Sequence, residues 1–161
     1  MQEAFLPPDH DHEQCVRLRL DRAERQCQER KLRFTPHRRR VLEIIAGSHV
    51  AIGAYEILAR LGEGGRTPAP VVVYRALDFL VREGLVHRVE SLNAFVACAT
   101  APDHHSAQFL ICQRCRTVAE LSSPAIEAAI AAGAEAAGFA VVRPVVEVGG
   151  LCQACGGERN A

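Results

Sequence analysis

Two C-x-x-C pairs carry the clearest chemistry in this sequence, Cys112-Gln113-Arg114-Cys115 and Cys152-Gln153-Ala154-Cys155. A C-x-x-C turn lets two thiolates approach one ion from the same side, and zinc favours four ligands at the corners of a tetrahedron. Two such turns complete a shell of four thiolates. A closed shell leaves no position for water or substrate, so its expected role is structural. The competing use is a redox pair, but that needs a single C-x-x-C at a strand-to-helix junction. Two copies bracketing 36 residues point to metal instead.

A second set is more dispersed: His87, Cys98, His105 and Glu120. Taken singly, His87 alternates with Leu85 and Val89 and reads equally as a packed strand residue, and Cys98 as a small buried hydrophobe. Taken together they straddle a boundary. His87 and Cys98 fall on two arms of an expected hairpin, while His105 and Glu120 flank the first cysteine pair. Imidazole, thiolate, imidazole and carboxylate suit Zn²⁺, and the thiolate disfavours Mg²⁺, Ca²⁺ and Mn²⁺; Fe²⁺ is less well excluded. His104 adjoins His105 and competes for that position.

The chain has 161 residues and seven cysteines, an odd number that argues against a simple disulfide framework. The N-terminus has no apolar h-region, and no run approaches the roughly 18 apolar residues of a membrane span. A cytoplasmic protein with no membrane partner is expected, and in a reducing compartment paired cysteines are metal ligands or redox groups. Net charge is zero, yet residues 14–40 hold ten Lys or Arg, including Arg38, Arg39 and Arg40, against three acids. Such a stretch is either solvated helix surface or a footprint for nucleic acid.

The elements that must position these groups follow from caps and periodicity. Residues 9–32 lack Gly and Pro and carry Val16, Leu18, Leu20, Ala23 and Cys27 as a sparse apolar set, which predicts a helix. Thr35-Pro36 predicts the start of a second helix that ends near Gly47, with Val41, Leu42, Ile44 and Ile45 buried. A third is expected over residues 53–61. A fourth opens at Thr67-Pro68-Ala69-Pro70 and ends at Gly84, with Val73, Leu77 and Leu80 on one face and Tyr74, Arg75, Asp78 and Arg82 on another. Residues 85–91 and 93–99 read as two strands joined by a turn.

That order describes a winged helix-turn-helix. The second half reads as strands at residues 108–112 and 117–121, a helix over 124–137 and a strand over 140–148, where Pro144 suggests an edge or a bulge. The fold class is therefore α+β, an N-terminal winged helix-turn-helix followed by a small α/β domain. The expected divisions are residues 1–98, a hinge at 99–106, and residues 107–161.

The segments RFTPHRRRVLEII, GAYEIL, VVVYRALDFLVREGLVHRVES, FVAC, HHSAQFLICQRC and LCQAC resemble the ferric-uptake-regulator family. The match is most similar to the zinc-responsive branch, whose sensory site has the pattern of His87, Cys98, His105 and Glu120. The resemblance implies a homodimeric repressor of operator DNA with two zinc ions per chain, a dimerisation domain at residues 107–161 and control of zinc-uptake genes. It makes the helix around VYRALDFL the recognition helix, with Tyr74 and Arg75 reaching DNA, Tyr55 touching it from the preceding helix, and Arg38 in the basic stretch. Arg75 suits a guanine edge; Tyr74 suits phosphate or a thymine methyl, or else the core. One departure is Val72, where the family commonly has Thr, so a hydroxyl contact is lost. Cys15 and Cys27 match no ligand position of the family.

Three rivals remain on the residues. A zinc enzyme is disfavoured, because Ile111 precedes Cys112 where a deaminase needs Pro and no H-E-x-x-H occurs, so neither an activity nor a small-molecule substrate is expected. A zinc-stabilised interaction module without DNA is opposed by the basic stretch. An iron or peroxide sensor of the same family is opposed by Cys98 and Glu120.

Overall fold

A computed structural model describes residues 11–63, 65–99 and 108–157, which form two compact units, one from residues 11–99 and the other from 108–157. The stretch expected to be a hinge, 99–106, lies outside the described residues apart from Ala99. Among the described residues no helix is long and apolar enough to cross a membrane.

The first unit begins with four helices, α1 (His12–Glu29), α2 (Pro36–Ala46), α3 (Ala54–Gly62) and α4 (Pro70–Arg82). Local chemistry sets their ends. Asp11 Oδ1 accepts the Gln14 N–H at 3.0 Å to cap α1, and Thr35 Oγ1 accepts the Arg38 N–H to cap α2 with Pro36 in its first turn. Gly84, at φ +68°, closes α4: its N–H bonds Val81 O and the Leu85 N–H bonds Leu80 O at 2.9 Å, so two orphan carbonyls are satisfied as the chain turns.

The helices converge on one core. Leu20, Ala23 and Cys27 of α1 pack with Leu42 and Ile45 of α2, Ile57 of α3, and Val73, Leu77 and Leu80 of α4. Leu18 does not join them; it is 60% exposed. Gln26, buried on α1, donates from Nε2 to the Glu83 carbonyl at 2.6 Å, and Arg30 pairs with the Glu83 carboxylate at 3.2 Å, which fastens α1 to the end of α4.

The wing follows as β1 (Val86–Val89) and β2 (Ala94–Ala97), antiparallel, with Val86 opposite Ala97 and Val89 opposite Ala94. A 3-10 turn, Glu90–Leu92, joins them, and Asn93 at φ +46° completes the reversal. A bridge between Ile52 and Phe95 ties the wing to the segment before α3.

The second unit has β3 (Gln108–Cys112), β4 (Val118–Leu121), α5 (Pro124–Ala136), β5 (Val146–Gly150) and a short α6 (Gln153–Gly156). The sheet order is β4-β3-β5; β3 is antiparallel to β4 and parallel to β5. The last strand begins later than the sequence suggests, at Val146 rather than near 140. Pro144 has no N–H to give to a ladder, so pairing starts beyond it.

Candidate metal centres and nucleic-acid interface

The parallel pairing of β3 with β5 runs from Gln108↔Val146 to Cys112↔Gly150, so both strands end side by side and each leads into a cysteine turn. In the first turn the Cys112 N–H bonds Thr117 O at 2.9 Å, and the Arg116 N–H bonds Cys112 O at 2.9 Å. Arg116 reverses the chain at φ +62°. In the second, Cys152 precedes α6 and its carbonyl accepts the N–H groups of Cys155 at 3.0 Å and Gly156 at 2.8 Å. The turns are joined by the Gln113 N–H to Gly150 O bond at 2.8 Å.

This places the sulfurs of Cys112, Cys115, Cys152 and Cys155 all within 4.8 Å of one another. The Cys115 and Cys152 sulfurs lie 3.8 Å apart. A tetrahedral zinc with Zn–S bonds of about 2.3 Å needs sulfurs about 3.8 Å apart, whereas a disulfide needs about 2.05 Å. The spacing of this pair is too long for a disulfide and suits two sulfurs sharing one ion.

The electrostatics agree. The Cys152 N–H lies 3.4 Å from Cys112 Sγ. That bond, aided by the Cys115 N–H, lowers the Cys112 thiol to about 5. The Thr117 hydroxyl, 3.2 Å from Cys115 Sγ, holds Cys115 below its ordinary value. Burial and the three neighbouring cysteines push Cys155 up to about 12. Four sulfurs so close cannot all shed their protons unaided. A coordinated dication removes that obstacle, because a metal-bound thiol is deprotonated outright. The donor set and its spacing fit zinc.

The wing holds two candidates of the second set. His87 lies on β1 opposite Val96, and Cys98 follows β2 with its N–H bonded to Leu85 O at 3.1 Å. A ring nitrogen of His87 and the Cys98 sulfur lie within 4.8 Å of each other, and Cys98 is 1% exposed. Glu120 is half-buried on β4, opposite Phe109, and His105 lies outside the described residues, as does His104.

The α4 helix divides as its periodicity suggests. Val73 and Leu77 are buried at 1% each and Leu80 at 0%, while Tyr74 is 45% exposed and Arg75 and Asp78 are exposed. Tyr74 is therefore outside the core. Arg75 makes no ion pair or hydrogen bond among the described residues, in contrast to Arg30, Arg39, Arg40, Arg60, Arg82 and Arg88, which pair with acids. Tyr55 on α3 is 79% exposed. Arg38 is engaged differently: its guanidinium lies 3.6 Å over the Phe79 ring and donates to the Arg33 carbonyl. Cys27 is buried in the core, and burial raises its thiol.

Residues 29–148 match the model of the ferric uptake regulator family. The chain belongs to the ferric uptake regulator family. The zinc uptake regulation protein of Escherichia coli (strain K12) is 43% identical over 138 residues, which is 84% of this chain and 80% of that protein. The structure of a zinc uptake regulator complexed with zinc and DNA matches with a TM-score of 0.84 at 37% identity, covering 91% of this chain and 98% of that one. The crystal structure of holo XcZur matches with a TM-score of 0.78 at 43% identity, over 91% and 99% of the two chains.

Within that family frame, two features escape a reading of the sequence alone. Thr117, two residues past the first cysteine turn, supports Cys115; a hydroxyl so close to a candidate ligand is a signal that spacing offers. Val71 is 51% exposed in the first turn of α4, a position that the two faces read from the periodicity, Val73, Leu77 and Leu80 against Tyr74, Arg75, Asp78 and Arg82, leave unassigned.

Proposed function

We propose that this chain is a zinc-responsive transcriptional repressor that binds double-stranded operator DNA as a homodimer. The relatives named as a zinc uptake regulation protein and a zinc uptake regulator bound to zinc and DNA support this. The observation that carries it is the pairing of an imidazole with a buried thiol on the wing, within 4.8 Å. A thiolate favours zinc over harder ions and ties metal reading to the DNA-binding unit.

Cys112, Cys115, Cys152 and Cys155 would hold one structural zinc ion. His87, Cys98, His105 and Glu120 would hold a second, regulatory one, giving two per chain. A bound zinc ion supplies a cross-link among thiolate, imidazole and carboxylate donors. The chain's residues do the rest. Residues 1–98 carry the DNA-binding domain, 99–106 the hinge, and 107–161 the dimerisation domain, whose exposed Phe139 and Val142 offer apolar area to a second copy.

On α4, Tyr74 and Arg75 face outward where a recognition helix meets the major groove, with Arg75 free to bond a guanine edge bidentately. Tyr55 would reach the backbone, and Arg38, held over Phe79, would support the helix as well as contribute charge. A dimer reads two half-sites about one helical turn apart, so holding both recognition helices at that spacing removes an entropic cost. Moving such a switch from 1:99 to 99:1 takes about 5.5 kcal/mol of differential affinity, within the range of metal coordination.

The test is a metal count on the purified protein, paired with DNA binding titrated against buffered free Zn²⁺ and Fe²⁺. Two zinc ions at saturation are expected, with only the weaker controlling DNA. Cys98→Ser should keep one zinc and the fold but lose zinc-dependent binding by roughly 100-fold. Zinc-responsive binding by Cys98→Ser at wild-type affinity would remove the regulatory site from this reading.

A further inference from the structure

Val71 stands apart from the other valines of α4. The run Val71-Val72-Val73 enters the helix behind Pro70, and burial rises along it: Val71 is 51% exposed, Val72 half-buried and Val73 1% exposed. Isolated apolar side chains are ordinary on protein surfaces. Val71 is not isolated in that sense, because it lies three residues before Tyr74 and four before Arg75, so all three share one outward stripe of the helix. It also lies in the first helical turn, the part of a recognition helix that contacts base edges.

A branched hydrocarbon at that place can make no hydrogen bond to a base or phosphate. The one apolar group on a base edge in the major groove is the thymine C5-methyl. We infer that Val71 is a specificity-determining residue that reads a thymine methyl in each half-site, beside the base contacted by Arg75. The inference rests on the DNA-binding reading above and adds to it a named base feature.

The experiment uses the full chain with zinc and a pool of duplexes with a randomised core, from which the preferred sequence is enriched. Each thymine of that sequence is then replaced by deoxyuridine, which removes only the methyl, and affinity is measured by fluorescence anisotropy for the wild type and Val71→Ala. Burying one methyl-sized group is worth about 0.8 kcal/mol, or about fourfold. One thymine per half-site is expected at which uracil weakens the wild type about fourfold and leaves Val71→Ala unchanged. Val71→Ala should melt no lower than the wild type, because Val71 is exposed and Ala favours helix.

If uracil weakens both proteins equally at every thymine, another residue reads the methyl and the inference is overturned, while DNA binding stands. If no sequence is enriched, the DNA-binding reading fails and takes this role of Val71 with it.

Discussion

Residues 11–99 and residues 108–157 solve the problem of stability by different means. In the first unit every helix sends side chains into a common core, with Ile45, Ile57 and Leu80 each 0% exposed. In the second, α5 has no buried residue, while Phe139 is 67% and Val142 97% exposed. Its buried residues belong chiefly to β3, to the start of β4 and to Cys112 and Cys152. A three-stranded sheet with one long helix and one short one buries little apolar surface, and small units of that kind lean on a metal or on association. Each unit is therefore vulnerable at a different place. The first should fail through its core, the second through its cysteines.

The largest effect is therefore expected at the metal. Structural zinc sites contribute on the order of 10 kcal/mol of binding free energy, which is folding free energy where no site exists in the unfolded chain. Cys112→Ser removes the sulfur that the Cys152 N–H serves at 3.4 Å. Expected are loss of the structural zinc, loss of the sheet signal in circular dichroism, and loss of self-association in sedimentation, with the helical signal of residues 11–99 retained. A folded, self-associating variant without that metal would erase the contrast between the units.

The second effect sharpens the same contrast from the other side. Ile45→Ala opens a cavity in the four-helix core and should cost about 3 kcal/mol, read as a lowered denaturation midpoint. Val142→Ala, at 97% exposure, should stay within about 0.5 kcal/mol in the isolated chain. In the homodimer proposed above, its effect falls on self-association, measured as a weaker dimer. Equal losses of chain stability at the two positions would show that the second unit has a core of its own around α5.

What can be read in advance also divides along these lines. The helices of the first unit announce themselves through local chemistry, Thr35 with Pro36, Pro70, and Gly84 at φ +68°, so their ends are legible. Leu18 departs from its expected place because Leu20, Ala23 and Cys27 follow the three-to-four spacing of one face, and a residue two positions earlier points away from it. The cysteine turns are legible from spacing alone, since two C-x-x-C pairs constrain a tetrahedral ion. The last strand is not, because an apolar run spans Pro144 without showing where pairing with β3 begins. Partnership of that kind is set by tertiary structure, as is α6, a turn of helix enclosed in the second cysteine turn. Of the wing pair, spacing places His87 and Cys98 on opposite arms, and the antiparallel register brings a His87 ring nitrogen and the Cys98 sulfur within 4.8 Å.

The smallest expected effect tests how far the first unit depends on its local signals rather than on its core. Thr35 caps α2 through a side-chain bond to the Arg38 N–H that is long, at 3.4 Å. Caps of this type are worth about 0.5–2 kcal/mol, and a long bond belongs at the lower end. Thr35→Ala should therefore destabilise the chain by about 0.7 kcal/mol, a fraction of the Ile45→Ala loss, because Val41, Leu42 and Ile45 hold α2 in place whether or not its first turn is capped. Circular dichroism with denaturant titration measures both on one scale. A Thr35→Ala loss as large as that of Ile45→Ala would mean that the cap also orders the segment carrying Arg38 over Phe79, and the first unit's stability would then rest on its helix starts as much as on its core.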